Sequence, residues 1–500
     1  MSLNYNFIWL LCYLLVLVGL AGYGFHRLSI VYLYWKNRNN KPQPKARFQE
    51  LPVVTVQLPM FNEKFVVDRL LESVAALDYP QDKLEIQILD DSTDDTTEQC
   101  YRKVEELKSR GFDAVCIHRT DRTGFKAGAL EAATKVAKGE FLLILDADFV
   151  PEPDLLQKTI HFFTDENVGL VQTRWGHINR EYNLLTRIQG MYLDGHFAME
   201  QTARNRSGRF FTFNGTAGIW RKCVIGDAGG WSHDTLTEDM DLSYRVQLRG
   251  WRFIYLNDVV TPAELPVDMD GFKSQQHRWT KGSIQVCQKI LLDIWRSNAP
   301  LKAKVEATTH LTCNYSYLLL ALLCFLVYPI CTQRIPENET VFMWFVNVAL
   351  FFMTSVAVCI FYMSAQIVVR PKSWWKELPY LPLLLTLSVG MAVNNAKAVL
   401  EAIFGHQSAF VRTPKYGVDR KEDRRHVSQL KRNGYRAIKS VVIPVLEIAC
   451  GTFFLNLIII MIRQGHYLSP ILMIPFLGFY YTCLLYTSPN PRDYAASRMP

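Results

Sequence analysis

The sequence predicts an α/β domain with a mostly parallel sheet, inserted into an α-helical bundle that crosses a membrane. Hydrophobic residues make up 49% of the 500 residues, and the mean hydropathy of +0.02 is high for a cytosolic protein and low for a pure membrane bundle. Long apolar segments lie near both ends of the chain, while short β-rich runs alternate with helical stretches between residues 51 and 295. The chain therefore combines a sheet domain with membrane helices.

The first apolar segment, residues 7–25, is close to the roughly 20 residues that a spanning helix needs. It has no basic stretch before it and no small-residue cleavage site after it, so we interpret residues 1–35 as a retained transmembrane anchor. Basic residues are concentrated in the linker 36–50, and such charge is typical of the cytoplasmic side of a membrane. We therefore expect the domain that follows to be cytoplasmic.

Residues 51–270 carry the pattern of the α/β domain. Predicted strands cover residues 53–58, 84–89, 114–118, 141–145 and 169–174, and predicted helices cover residues 63–76, 96–110, 125–137 and 153–163. Such alternation is typical of a parallel sheet with helices on both faces. We expect the next segment, residues 271–310, to form helices at the membrane interface.

Apolar segments return in the C-terminal half and set the predicted topology. Residues 311–369 and 441–482 are each long enough for two transmembrane helices. We interpret residues 378–440 as a re-entrant or interfacial segment and a cytoplasmic loop, because a full crossing would place the basic stretch 412–439 outside; a further crossing is the alternative. The result is a multi-pass protein with five spans. The tail 483–500 resembles the translation of a sequencing-library adapter, so we expect it to be non-native.

Composition argues against two other classes of protein. The net charge of +8 is modest and clustered in segments that fit cytoplasmic loops, so nucleic acid is not an expected partner. The eleven cysteines are scattered and never spaced as CxxC, and several lie inside apolar runs. They predict small buried side chains in a reducing compartment, with neither a disulfide framework nor a zinc site.

Acidic residues directly follow two strongly apolar strands. Asp90 and Asp91 end one of them, and Asp146 and Asp148 end the other. In an open α/β sheet, ligands bind beyond the carboxyl ends of the strands, so four carboxylates are expected to converge on one crevice. Like charges in such proximity call for a cation, and oxygen ligands with open positions suit Mg²⁺ or Mn²⁺. The alternative is that these residues only cap the helices that follow.

Two further motifs lie at predicted turns. In "TGFKAGALEAA", Lys126 stands at the start of a helix, where small residues and backbone N–H groups attract phosphate. In "FTFNGTAGIW", Asn214 and Gly215 form a small-residue turn between aromatic residues. Such a turn either is an ordinary loop or allows the backbone to approach a flat substrate closely.

Two motifs are placed on helices. "LTEDMDLSYRVQLRGW" begins a helix at Thr237, with Glu238 and Asp239 in the first turn, where acidic residues either serve catalysis or only stabilise the helix dipole. In "FKSQQHRWTKGS", the i, i+3, i+4 spacing places Gln275, Arg278 and Trp279 on one helical face. We expect His277 to be structural, and Lys273 and Lys281 to be charges at the membrane surface.

Taken in order, these motifs resemble those of the processive family-2 glycosyltransferases, the cellulose synthase and cellulose synthase-like enzymes. The matching residues, spread over residues 52–415, are Asp91, the DxD pair Asp146 and Asp148, the TED triplet Thr237, Glu238 and Asp239, and the QxxRW residues Gln275, Arg278 and Trp279. The stretches "LPMFNE", "FNGTAGIWR" and "FKSQQHRW" are especially similar to the glucomannan and glucan synthase branch. "FVRTPK" resembles the family's gating loop FxVTxK at Phe410, Thr413 and Lys415, with Arg412 in place of the valine.

The resemblance implies a GT-A (Rossmann-like nucleotide-sugar) domain and inversion at the anomeric carbon. By this resemblance, Asp90 or Asp91 contacts the base or ribose of the nucleotide. Asp146 and Asp148 would hold Mg²⁺ or Mn²⁺ and the diphosphate, which Gln275 and Arg278 would also bind. Trp279 would stack on the acceptor sugar, and Asp239 would be the general base. Lys126, Asn214 and Gly215 would complete the donor and acceptor sites, and Thr237 and Glu238 belong to the catalytic triplet.

The expected function is processive transfer of hexoses from UDP-glucose or GDP-mannose to a growing β-linked polysaccharide, by resemblance β-1,4, which is threaded across the lipid bilayer. A non-processive glycosyltransferase acting on a lipid acceptor is the alternative. A third possibility is a non-enzymatic assembly or translocation subunit with a degenerate catalytic domain. All the acidic motifs are intact, which argues against this last class.

Overall fold

A seven-stranded mixed sheet organises the larger half of the chain. The computed structural model describes residues 2–332, 349–350, 352–406, 412–419, 427, 442–465 and 473–487. The strands are β1 (Val54–Met60), β2 (Leu84–Asp90), β3 (Asp113–His118), β4 (Phe141–Ile144), β5 (Val168–His177), β6 (Gly218–Arg221) and β7 (Arg252–Ala263). Their order across the sheet is β3-β2-β1-β4-β6-β5-β7, and only β6 runs antiparallel to its neighbours among these strands. Five of the strands match predicted ones; β6 and β7 were not predicted.

Both faces of the sheet are buried, which explains the nearly continuous apolar runs of its strands. In β4, Phe141 and Leu143 belong to the hydrophobic core on one face, while Leu142 and Ile144 belong to the core on the other. Successive strand residues point to opposite faces, so a run of apolar residues serves two cores at once. This burial fixes the strand ends, where the acidic motifs lie.

The sheet domain has eight α-helices among the described residues. They are α2 (Val67–Ala75), α3 (Thr96–Ser109), α4 (Phe125–Val136), α5 (Leu155–Thr159), α6 (Leu184–Asp194), α7 (Thr202–Arg206), α8 (Lys222–Asp227) and α9 (Glu238–Leu248). Of these, α2, α3, α4, α5 and α9 correspond to predicted helices, whereas α6, α7 and α8 were not predicted. The predicted helix 63–76 is shorter at its N-terminus, because residues 63–66 form a turn beside the cavity described below. The predicted helix 153–163 is divided into α5 and a 3₁₀ turn over Ile160–Thr164.

A long helix, α10 (Met269–Arg296), leads from the sheet domain to the membrane segments. Its N-cap is Asp268, whose side chain accepts a hydrogen bond from the backbone N–H of Gly271 at 2.8 Å. The helix carries the QxxRW residues in its first turns. Helices α11 (Leu301–Thr312) and α12 (Tyr315–Thr332) follow, with a bend of 52° between them.

The remaining helices are α1 (Ser2–Asn37), α13 (Ala357–Val369), α14 (Leu381–Gly390), α15 (Ala392–Ile403), α16 (Val442–Arg463) and α17 (Gly478–Thr487). In the described part of the chain, three helical stretches are long and apolar enough to cross a membrane: Ile8–Asn37, Trp374–Ile403 and Val442–Arg463. The bent pair α11 and α12 would make a fourth. Trp374–Ile403 is thus long enough for the further crossing that was the alternative to a re-entrant segment. The re-entrant segment therefore stays a prediction. Parts of the predicted segments 311–369 and 441–482, and most of the tail 483–500, lie outside the described residues.

The expectation that Lys273 and Lys281 are surface charges was wrong, because both side chains are buried. Lys273 is 5% exposed and its Nζ donates to Oε2 of Glu447 on α16 at 2.7 Å. Lys281 is 1% exposed and its Nζ donates to Oε2 of Glu401 on α15 at 3.1 Å. Both lysines therefore join α10 to helices of the apolar bundle through buried ion pairs. His277 also contacts Glu401, at 3.1 Å, as its structural role predicts.

Candidate active site

A cavity of about 380 Å³ lies beyond the carboxyl ends of β1, β2, β4, β5 and β7, with α10 along its wall. This is where an open α/β sheet binds its ligands. The motif residues that line it are Asp91, Lys126, Asp146, Asp148, Asn214, Gly215, Thr237, Glu238, Asp239, Gln275, Arg278, Trp279, Thr413 and Lys415. The cavity thus brings together residues more than 300 positions apart in the sequence. Phe410 lies outside the described residues.

The two acidic residues at the end of β2 occupy different environments. Asp91 lines the cavity and accepts a bidentate pair of hydrogen bonds from Arg119, at 2.8 and 2.6 Å. Asp90 is fully buried and accepts from Thr97 Oγ1 at 2.7 Å, with Nδ1 of His118 also at 2.7 Å. Asp90 does not line the cavity, so only three of the four carboxylates expected to converge there do so: those of Asp91, Asp146 and Asp148.

The DxD carboxylates are each paired with a lysine. Nζ of Lys126 donates to Oδ1 of Asp146 at 2.5 Å, and Nζ of Lys415 donates to Oδ2 of Asp148 at 2.6 Å. The backbone N–H of Glu264 also donates to Oδ2 of Asp148, at 3.2 Å. The two lysines supply positive charge at the positions where a substrate diphosphate and its cation are expected.

The donor set fits a divalent metal of the Mg²⁺ or Mn²⁺ type. Asp146 and Asp148 provide oxygen ligands in one cavity, and within the described ranges no cluster of three His, Cys, Asp or Glu residues forms a closed protein site. Mg²⁺ is commonly held by one or two carboxylates and completed by substrate phosphates.

The TED triplet stands at the N-terminus of α9. Burial, and after it the charge of the neighbouring Glu238, raises the pKa of Asp239 to about 7, while the backbone N–H of Met240 opposes the shift. Burial also raises the pKa of Glu238, opposed by the charge of Lys126. A carboxylate with a pKa near neutrality in a cavity is suited to accept a proton at physiological pH.

The turn at Asn214 and Gly215 approaches this carboxylate through its backbone. Gly215 has φ +80° and its carbonyl oxygen accepts from Nζ of Lys126 at 2.9 Å. A Cβ atom on Gly215 would lie 3.0 Å from Oδ2 of Asp239, tighter than an ordinary contact. Both the backbone conformation and the close approach therefore favour glycine.

Asn214 connects the cavity to a buried ion-pair network. Its Oδ1 accepts from Gln201 at 2.7 Å, and its Nδ2 lies 3.0 Å from Nε2 of His196. His196 contacts Glu200, and the network also includes Arg27 and His26 of α1, Arg204 of α7 and Glu306 of α11; Glu200, Arg204 and Glu306 are buried, while Arg27, His26 and His196 are partly exposed. The ion pairs attach α1 to the domain by charge as well as by apolar packing.

The QxxRW residues belong to α10 and line the wall of the cavity that this helix forms. Burial lowers the pKa of the Arg278 guanidinium, while the charges of Glu238, Asp146 and Asp239 oppose the shift. The ring of Trp279 meets Trp175 of β5 edge-on, with centroids 6.5 Å apart. Together they form an aromatic wall of the kind on which a sugar ring can pack.

A glycine fixes how closely α10 packs against the TED triplet. A Cβ atom on Gly282 would lie 2.5 Å from Cγ2 and 2.7 Å from Oγ1 of Thr237. Only a residue without a side chain allows this approach. The QxxRW helix and the TED triplet are thereby held in direct contact.

The segment 412–419 covers the cavity next to Asp148. Besides the contact of Lys415 described above, Arg412 reaches Glu63 at 3.4 Å. Burial raises the pKa of Glu63 to about 8, opposed first by the charge of Arg412. Arg412 stands where the gating-loop pattern that the segment resembles has valine, and a valine could not form this ion pair.

Several residues of the cavity were not anticipated. These are Glu63, Arg122, Trp175, His233 and Glu264. For Arg122, whose guanidinium lies 3.4 Å from the centroid of the Phe61 ring, the "DRTG" turn ahead of Lys126 was the available signal. Glu264 follows β7, which was not predicted, so no sequence pattern placed it beside Asp148.

The sheet order, the DxD pair and the TED and QxxRW residues around one cavity define a GT-A glycosyltransferase fold. The profile of the family described as "Glycosyltransferase like family 2" matches residues 52–282. Residues 52–282 therefore carry a family-2 glycosyltransferase domain, and the chain is similar to cellulose synthase-like enzymes, which confirms the fold class and the resemblance that its motifs predict.

Two curated relatives identify the branch that the chain is similar to. Glucomannan 4-beta-mannosyltransferase 2 of Arabidopsis thaliana is 42% identical over 286 residues, covering 54% of this chain and 53% of the relative. Glucomannan 4-beta-mannosyltransferase 1 of Oryza sativa subsp. japonica is 40% identical over 277 residues, with the same coverage of 54% and 53%. The chain spans about half the length of the curated relatives it matches.

A solved structure shares the fold. A mannosyltransferase from Pyrobaculum calidifontis, determined in complex with GDP-Man and Mn²⁺, superposes with a TM-score of 0.55 at 20% identity, covering 79% of this chain and 100% of that one. At this identity the likeness establishes the fold alone.

Proposed function

We propose that this chain is an inverting, processive glycosyltransferase that extends a β-1,4 mannan-type polysaccharide with hexoses from a nucleotide sugar. The observation that carries the proposal is the position of Asp239. Its carboxylate, with a pKa of about 7, lies in the same cavity as the DxD pair and the QxxRW arginine. A base and an anion-binding set in one cavity match the two needs of a direct displacement.

The donor site is formed by the strand ends and by α10. Asp91 would contact the base or ribose, and Lys126, Gln275, Arg278 and Lys415 would bind the diphosphate. A Mg²⁺ or Mn²⁺ ion held by Asp146 and Asp148 would neutralise the charge of the leaving diphosphate. The guanidinium of Arg278 offers a planar set of donors for phosphate oxygens.

In the reaction, Asp239 accepts the proton of an acceptor hydroxyl while the oxygen attacks the anomeric carbon. The bond between that carbon and the diphosphate oxygen breaks, and its electron pair leaves with the nucleoside diphosphate. The proton stays on Asp239, and the configuration at the anomeric carbon inverts. Lys126 and Arg278 stabilise the negative charge that develops on the leaving group.

The names of the curated relatives favour a mannosyl donor, which makes GDP-mannose the first candidate and UDP-glucose the second. Trp279, beside Trp175, would pack against the acceptor sugar, and Asn214 and Gly215 would border the acceptor hydroxyl. Three stretches long enough to span a membrane support a membrane-embedded enzyme. We further propose that its sheet domain is cytoplasmic and that the product is translocated across the bilayer.

Membranes containing the chain should be incubated with Mg²⁺ or Mn²⁺ and either radiolabelled GDP-mannose or UDP-glucose. We expect a long polymer that β-1,4-mannanase digests, and nucleoside diphosphate release that Asp239→Asn abolishes. A single sugar on a lipid would reject processivity and support the alternative acceptor. Equal release by the wild type and by Asp239→Asn would overturn the assignment of the base.

A further inference from the structure

The backbone of residues 416–418 is attached to the sheet domain by one buried carboxylate. The residue is Glu264, which directly follows β7 and is 4% exposed. Its Oε1 accepts from the backbone N–H of Tyr416 at 2.9 Å, and its Oε2 accepts from the backbone N–H of Val418 at 3.1 Å. Two main-chain donors on one carboxylate fix a short stretch of chain independently of its side chains.

Neighbouring contacts hold the same stretch. Arg69 lies between Oε2 of Glu264, at 3.4 Å, and Oδ1 of Asp419, at 2.5 Å. Gly417 has φ +69°, and a Cβ atom there would lie 2.7 Å from the carbonyl oxygen of Phe65. The attachment therefore requires glycine at position 417. Arg69 strengthens it by bridging Glu264 and Asp419.

The backbone of Glu264 contacts two residues that line the cavity. Its N–H donates to Oδ2 of Asp148 at 3.2 Å, and its carbonyl oxygen accepts from Nζ of Lys415 at 3.2 Å. Nζ of Lys415 also donates to Oδ2 of Asp148, at 2.6 Å. The side chain of Glu264 thus holds the backbone of residues 416–418, and its main chain contacts both Lys415 and Asp148.

We propose that Glu264 is a positioning residue that anchors residues 416–418 and thereby places the ammonium group of Lys415 beside Asp148. Its importance for turnover rests on the proposed function, since Lys415 is there assigned to the donor diphosphate. The chemistry requires a carboxylate, because a glutamine would present an NH₂ donor to one of the backbone N–H groups. Glu264→Gln therefore removes an acceptor while it keeps the volume of the side chain.

The anchor can be measured without activity, by hydrogen–deuterium exchange of the full chain in detergent. We expect the peptide containing residues 416–418 to exchange at least about tenfold faster in Glu264→Gln. Gly417→Ala, which affects the attachment without entering the cavity, should give the same result. Glu85→Gln is the matched control, because Glu85 is a buried carboxylate that accepts from Thr55 and from the N–H of Lys138 away from the cavity.

The positioning role is measured by donor kinetics of Glu264→Gln, Lys415→Ala and the double variant. Each single variant should lower kcat/KM for the donor by about tenfold or more, mainly through KM, and the double variant should be no worse than Lys415→Ala, since both act through one ammonium group. Glu85→Gln should leave the donor KM unchanged.

Unchanged exchange at 416–418 in Glu264→Gln and Gly417→Ala would overturn the anchor. If the loss of kcat/KM in the double variant equals the product of the losses in the two single variants, Glu264 does not act through Lys415. If the wild type transfers no sugar from either donor, the proposed function fails, while the exchange result still decides whether Glu264 anchors the segment.

Discussion

Gly215 and Asp239 are in such close contact that a Cβ atom on the glycine would lie 3.0 Å from Oδ2 of the aspartate. The carbonyl of Gly215 also accepts from Lys126, whose ammonium group pairs with Asp146. The turn therefore lies between the proposed base and the proposed diphosphate site. Its backbone sets the distance between the two.

We predict that Gly215→Ala lowers kcat/KM by about 10²-fold, because the added methyl group displaces Asp239 from the acceptor hydroxyl. Transfer rate and thermal unfolding should be measured together. Gly250→Ala is the matched control: it places alanine at φ +94° with no atom within 4 Å of its Cβ. It shares the backbone strain without the contact, so an equal loss in both variants would contradict the explanation.

Activity should depend on pH through Asp239. The raised pKa of about 7 means that the carboxyl group retains its proton in acid, so only above that pH is the base fully available. We expect kcat/KM to fall about tenfold per pH unit below pH 7. Burial raises the pKa of Glu63 to about 8, so Glu63→Gln is the control. If kcat/KM of Glu63→Gln no longer falls at acidic pH, the titrating group is Glu63 and not Asp239.

The two aspartates at the end of β2 should separate into a binding and a structural role. Asp91→Asn weakens the pair with Arg119 at the cavity, and we expect a higher donor KM with little change in unfolding temperature. Asp90→Asn leaves His118 and Thr97 without a charged acceptor inside the domain, at a cost of about 1–3 kcal/mol in the free energy of unfolding. Donor titration and thermal unfolding distinguish the two, and a reversed result would refute the assignment.

Gly282→Ala should disturb the contact between α10 and the TED triplet. Its Cβ would overlap Thr237, so we expect a loss of about 1–3 kcal/mol in stability together with reduced transfer. Gly226→Ala, in α8, has no atom within 4 Å of the new Cβ and should leave both unchanged or slightly improved. Thermal unfolding and kcat report the two effects. An active and equally stable Gly282→Ala protein would show that α10 tolerates displacement.

The buried pair of Lys273 and Glu447 should reveal itself through single and double substitutions. Lys273→Met alone leaves a carboxylate without its cation and should destabilise the protein by about 3–5 kcal/mol. Adding Glu447→Leu removes the unpaired charge, so the double variant should recover much of the loss. Unfolding temperature in detergent measures this. A double variant less stable than the single one would argue against an ion pair at this position.

Sequence patterns located most of the cavity because its residues stand at strand ends and helix starts. Asp91, Asp146, Lys126 and Asp239 lie at such positions, and burial of the sheet on both faces leaves little freedom in where the strands end. The i, i+3, i+4 rule likewise placed the QxxRW residues, since the position of a residue on a helix follows from its number. Periodicity and propensity are local properties, and these features are local.

Features that depend on contacts between distant segments could not be predicted in this way. Lys273 and Lys281 have the pattern of surface charges, and only Glu447 and Glu401, 174 and 120 positions away, make them buried partners. Glu264 was missed for the same reason, because its acceptor role depends on Tyr416. A single sequence does not record such pairs.

The attachment of α1 has a consequence for protein engineering. Arg27 pairs with Glu200 and His26 lies 3.0 Å from Glu306, and both carboxylates also contact Arg204 of α7. A truncated fragment that starts after residue 37 would lose Arg27 and His26 along with the apolar helix, and Arg204 would remain as the cation shared by both carboxylates. Expression of a water-soluble catalytic fragment would therefore call for a neutral residue at position 200, because trimming the hydrophobic helix alone leaves two carboxylates to one guanidinium inside the domain.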